Sequence, residues 1–333
     1  MPLSVDNQRT QMTLLLTALV AASLVSLLIG AGSVGPLRAL AVLGGSQDGD
    51  ANFVVWQLRA PRTLIGIIVG MALGVAGALL QAVSRNPLAE PGLLGVSAGA
   101  AFAVALTLVM GASAATLRIS VAQLGALLGC MCVLSVTRVR GVGSDPVRLV
   151  LAGAAFSGLL GSLTSLMLLF DQRAADEIRF WVIGSLAGRR LDDVVAMLPS
   201  MLVAAVAVVF IARPLAALAL GERAASGLGH RPGLIRWLVV ACVALLVGAA
   251  TAIAGPIAFV GLVVPFAARA LAGPDIRRTL WFCLPIGPLM VLAADIIARV
   301  AVAPSELPIG VLTALCGAPV LVAVVRARRL PTL

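Results

Sequence analysis

Lysine is absent from the 333 residues, histidine occurs once, and only 11% of the chain is charged. Each scarcity excludes something. A phosphate-binding loop of the GxxxxGK[ST] type needs its lysine to reach the nucleotide, so any ATP chemistry, with its Mg, must sit on another chain. The single histidine, His230, stands in a polar stretch without a nucleophile or ligand partner and supports neither a catalytic pair nor a metal site. The five cysteines, Cys130, Cys132, Cys242, Cys283 and Cys316, lie in apolar runs without C-x-x-C spacing and read as small buried hydrophobes. Aromatic residues are 4% of the chain, and the basic residues, all arginine, are scattered singly rather than in a stripe interleaved with aromatics. The net charge of +10 therefore speaks of membrane topology and not of nucleic acid.

What the chain has in abundance is apolar sequence, at 61%. A spanning helix needs about 20 mostly apolar residues. Such stretches run from about 12 to 31, 61 to 83, 92 to 112, 118 to 137, 146 to 170, 192 to 212, 234 to 254, 256 to 272, 279 to 298 and 307 to 325. The expectation is an all-α integral membrane protein of about ten transmembrane helices, forming one domain over 1–333. The first stretch follows Arg9 and is too long for the apolar region of a signal peptide, so it reads as a retained span. With ten spans both termini share a side. Most arginines fall on that side, including Arg85, Arg138, Arg140, Arg148, Arg213 and the closing Arg326, Arg328 and Arg329, which makes it cytoplasmic.

Three polar segments are long enough to matter. Residues 32–60 and 171–191 fall outside on this topology and read as solvated loops of mixed charge, while 213–233 falls inside. Gly70, Gly74 and Gly77, and then Gly95 and Gly99, supply small-xxx-small spacing that lets helices pack closely in lipid. One acidic residue lies deep in a span, Asp295, and Arg299 stands four residues on, where the two can pair. Between the second and third spans the chain reads RNPLAEPGLLGVSAGA, Arg85 to Ala100. Pro87 and Pro91 forbid a continuous helix there, and non-helical backbone near membrane depth is tolerated where protein shields it or it lines a cavity. Glu90 is expected to pair with an arginine.

WQLRAPRTL followed by NPLAEPGLLGVSAGA, then GERAASGLG, then GPIAFVGLVVPFAAR and ELPIGVLTALCGAPV, together resemble the FecCD family of ABC-importer permeases. The resemblance spans Trp56 to Val325 in the family's order and spacing. It implies ten helices per subunit with cytoplasmic termini, and two permease subunits around one pathway lined by the fifth and tenth spans, the second subunit being identical or homologous, with a heterodimer expected. Two ATPase subunits would bind inside, and an extracytoplasmic binding protein would deliver the ligand. No cofactor is implied for this chain itself.

The residues that carry these roles follow from the same resemblance. GERAASGLG matches the loop whose short helices dock into the ATPase, which implies coupling roles for Glu222, Arg223, Ala225, Ser226 and Leu228. By similarity to the vitamin B12 branch, Asn86 and Leu88 sit at an inner constriction, a cytoplasmic gate. Arg59 and Arg299, and less directly Arg62, match positions that meet carboxylates of the binding protein, for which the planar guanidinium fork is suited. Two departures stand out. Phe266 follows Val264 and Pro265 where many relatives have histidine, and Pro146 and Val147 replace small hydroxyl residues of a second gate, so that gate does not transfer. FWVIGSLAGR, Phe180 to Arg189, is more like the iron-siderophore branch than the B12 branch. The expected cargo is therefore a ferric siderophore, with haem or cobalamin as the alternative within the family. An ion-coupled secondary transporter is the alternative outside it, disfavoured by the scarcity of intramembrane charge.

Overall fold

The computed structural model describes residues 5–111, 115–138 and 146–326. Their regular structure is helical throughout. In chain order the helices are α1 (Val5–Leu28), α2 (Pro36–Leu43), α3 (Gly49–Phe53), α4 (Ala60–Ser84), α5 (Val96–Val109), α6 (Ala115–Arg138) and α7 (Pro146–Phe170). They continue with α8 (Gln172–Val182), α9 (Leu191–Ala219), α10 (Glu222–Gly227), α11 (Pro232–Ala254), α12 (Val260–Ala272), α13 (Ile276–Val300) and α14 (Ile309–Arg326). Among the described residues, 6 helices are long and apolar enough to cross a membrane, and four shorter apolar helices lie within α5, α6, α12 and α14. Together they occupy the ten apolar stretches of the sequence. Arg140, Arg328 and Arg329 lie outside the described residues, as do Ser144 and Asp145 just before α7.

The bundle is built around α4, which packs against α11, α12 and α13, while α5 pairs with α6. Glycine permits this closeness. A Cβ on Gly77 would stand 1.8 Å from the carbonyl oxygen of Gly261, and one on Gly99 would stand 2.3 Å from that of Gly125. The spacing of small residues in the sequence thus marks the faces where backbones touch, α4 on α12 and α5 on α6. Hydrophobic attraction is weak between helices in lipid, so such close dispersion contact is what holds them together.

The segments 32–60 and 171–191 differ from the solvated outer loops expected. In 32–60, α2 and α3 bury Val34, Ala39, Val42, Ala51 and Val55 in a small cluster of their own, and a wider helical turn, Val54–Arg59, runs on into α4. Asp48 caps α3 by accepting from Ala51 N at 3.2 Å and pairs with Arg38 at 2.6 Å. The Arg38 guanidinium holds the Asp48 carboxyl below the usual carboxylate range. In 171–191, Asp171 caps α8 through Ala174 N at 2.9 Å. Short polar segments with a cap residue and a few apolar positions form helices when a neighbour covers the apolar side.

Candidate functional site

The elbow after α4 is set by its own sequence. Arg85 ends the helix with φ 49°, the left-handed conformation that stops helices. Asn86 N then bonds back to Gln81 O at 3.2 Å. The Asn86 side chain closes the next turn, Oδ1 accepting from Leu88 N at 2.9 Å, a local bond that competes with helix. Leu88 is left 37% exposed on this turn. Pro91 opens a single 3-10 turn, Pro91–Leu94, before Gly95 starts α5.

Two long-range bonds fix the elbow in place. Arg85 Nη2 donates to Leu218 O at 2.6 Å, tying it to the last turn of α9. Glu90 Oε1 accepts from Phe259 N at 2.7 Å, tying it to the start of α12. This corrects the expectation that Glu90 pairs with an arginine: Phe259, with φ 67°, stands just before α12, where its N–H has no helical acceptor and is the donor within reach. Burial pushes the Glu90 carboxyl up, and the Phe259 N–H partly opposes that.

Helix α9 leads from the elbow's anchor directly into α10. Of the residues expected to couple, Ala225 is buried against the bundle, whereas Glu222, Arg223 and Ser226 are exposed on α10 and Leu228 is exposed just after its last residue. Leu228 is 64% exposed. Glu222 forms an ion pair with Arg236 of α11, which holds α10 to the helix that follows it. The result is a pinned helix with an apolar tip facing out, joined through α9 to the Asn86–Leu88 turn.

At the opposite end of the bundle, Arg59, Arg62 and Arg299 come together and face inward. Arg59 is 4% exposed, and its guanidinium donates to Leu27 O at 3.0 Å, Leu28 O at 2.8 Å and Val34 O at 2.8 Å. Arg299, 2% exposed, donates to Ser26 O at 2.8 Å and Ile29 O at 3.0 Å and to Asp295 Oδ2 at 2.6 Å. Arg62 grips Asp295 Oδ1 through Nη2 at 2.7 Å and reaches Glu306 Oε2 through Nη1 at 2.7 Å. Within the single chain, Arg59 and Arg299 thus spend their forks on groups of this chain. The last carbonyls of α1 lack helical partners, and a buried cation satisfies them and complements the helix dipole.

One buried arginine was missed. It is Arg269, in the last turn of α12. Its Nη2 donates to Gln81 Oε1 in the middle of the core, and its Nε and Nη1 are buried without a hydrogen-bond partner among the described residues. Gln81 Nε2 in turn donates to Leu262 O at 3.3 Å. The signal available was a polar pair, Gln81 and Arg269, each inside an otherwise apolar helix.

The FecCD transport family matches residues 18–327. The chain is similar to the ferric enterobactin transport system permease protein FepD of Escherichia coli, 42% identical over 316 residues, covering 94% of each chain. It is also similar to the hemin transport system permease protein HmuU of Yersinia pestis, at 36% over 321 residues, covering 94% of this chain and 95% of that one. A solved inward-facing structure of a metal-chelate type ABC transporter superimposes with a TM-score of 0.83 at 29% identity, covering 96% of this chain and 99% of that one. With the helical bundle, the elbow and the short helix α10 in place, these matches leave one assignment: the chain belongs to the FecCD transport family, the membrane permease subunits of ABC importers.

Proposed function

We propose that the chain forms half of the pathway by which an ABC importer moves a ferric siderophore across the cytoplasmic membrane. Its termini and α10 face the cytoplasm, and a partner permease, identical or homologous, completes the pathway. Two ATPase subunits engage Glu222, Arg223, Ser226 and Leu228, with Ala225 seating α10 against the bundle, and an extracytoplasmic binding protein docks at the end that holds Arg59, Arg62 and Arg299. The observation that carries the coupling is the linkage of α10 through α9 to the elbow by Arg85 and Leu218 O. A partner that grips α10 can thereby act on Asn86 and Leu88, the proposed gate, through one packed element.

The siderophore reading is supported by the GSL stretch at Gly184–Leu186 and by the 42% identity to an enterobactin permease, against 36% to a hemin permease and 34% to a cobalamin permease of Halobacterium salinarum. In place of surface forks, Arg59 and Arg299 act at the docking face by fixing the ends of α1 and α13, and the partly exposed Arg62–Glu306 pair is its charged contact. The test is a ligand panel. The assembled transporter with its own binding protein, in proteoliposomes, is offered ferric catecholate, ferric hydroxamate, ferric citrate, haem and cobalamin. Uptake of a siderophore is expected; uptake confined to haem or cobalamin would overturn the siderophore reading.

A further inference from the structure

On the flank of the bundle at the α10 end, α4, α9, α11 and α13 leave an open groove of about 690 Å³. That is within the range of about 300–1,000 Å³ that accommodates a ligand of moderate size. Its walls are apolar, with Met71 and Val75 from α4, Val208 from α9, Leu246 from α11 and Leu284 from α13. Among the described residues, none that lines it belongs to α7 or α14, the spans expected to face the pathway. On that expectation the groove lies away from the pathway, on the side that lipid covers.

Its rim is of a different character. Arg213 from α9 and Arg277 and Arg278 from the first turn of α13 stand around it with a single carboxylate, Asp275. Asp275 is already committed, capping Arg277 N at 2.9 Å and reaching the Arg277 and Arg278 side chains at 3.3 and 3.9 Å. Three guanidiniums against one engaged carboxylate leave an excess of positive charge, and the N-terminus of α13 adds to it. One turn deeper, Trp281 is 66% exposed at the groove's edge, the position where an indole marks the boundary between headgroups and hydrocarbon.

An apolar slot beneath a cationic rim at a helix boundary matches a molecule with an acyl chain and an anionic head. We propose that this groove binds an anionic phospholipid, one acyl chain lying along α4 and α11 and the phosphate held by Arg213, Arg277 and Arg278. A bound lipid would bridge α9, which leads to α10, and α13. A second copy of the chain fits less well, since it would have to bring an anion to the rim as well as an apolar ridge to the slot.

The experiment uses the assembled transporter, delipidated in mild detergent and mixed with phosphatidylglycerol or phosphatidylcholine, with bound lipid counted by native mass spectrometry. Phosphatidylglycerol should be retained in preference, and the preference should fall by about fivefold for each arginine removed in Arg213→Gln, Arg277→Gln and Arg278→Gln. Ala205→Phe, which fills the groove and leaves the rim intact, should also release the lipid, whereas inorganic phosphate should not displace it. Equal retention by the native protein and the triple glutamine variant, displacement by phosphate alone, or a cross-link placing another subunit over Trp281 would each overturn the proposal. The variants' thermal denaturation midpoints show that they remain folded.

Discussion

Asp295 is fully buried between Arg62 and Arg299, and the three form a unit that no pair of them could replace. Removing Asp295 leaves Arg299, 2% exposed, without its carboxylate in low dielectric, while Arg62 keeps only Glu306. Asp295→Ala should therefore destabilise the subunit by about 3–5 kcal/mol, read as a fall in the midpoint of thermal denaturation in detergent. Adding Arg299→Met should restore part of the loss; a single variant as stable as the native protein would show that the pair contributes little. The i,i+4 pairing of Asp295 with Arg299 was legible from spacing alone. The third member was not, because Arg62 lies on another helix and only the packing of α4 on α13 brings it near. The same reason hid the inward turn of Arg59 and Arg299: their acceptors are carbonyls at the end of α1, and a carbonyl leaves no mark in a sequence.

Among the elements, glycine spacing revealed which helix faces are thin without revealing their partners. Gly77→Ala should be poorly tolerated, because its Cβ would meet the Gly261 backbone, and overpacking of this kind costs about 1–3 kcal/mol or more. Gly161→Ala on α7, where a Cβ meets nothing within 4 Å, should instead be neutral or slightly stabilising through helix propensity. Equal expression and melting of the two variants would contradict the close packing. Helix α10 was legible in GERAASGLG through the resemblance, and its contact with α11 through Arg236 was not. The exposed Glu222–Arg236 pair adds little stability, so the double variant Glu222→Arg with Arg223→Glu should keep the native melting midpoint. Its copurification with the ATPase, or the dependence of transport on ATP, should nevertheless be lost. Unchanged ATPase association and transport would remove α10 from the coupling path.

At the scale of the molecule, the class of fold followed from composition and ten apolar runs, since a bilayer admits few solutions for a backbone that must satisfy its own hydrogen bonds. The elbow was visible as two prolines and a glutamate in apolar surroundings. Its role as a link between α4, α9 and α12 needed the two bonds of Arg85 and Glu90 across the fold. What distinguishes an ATP-driven permease from an ion-coupled carrier is the source of energy, and the proposed function places that source in a partner gripping α10. The most direct measurement is ligand uptake into proteoliposomes holding the complete transporter, with ATP, a non-hydrolysable analogue or an ion gradient as the variable. Uptake that requires hydrolysable ATP on the α10 side and ignores the ion gradient is predicted; uptake driven by the gradient without ATP would contradict the account.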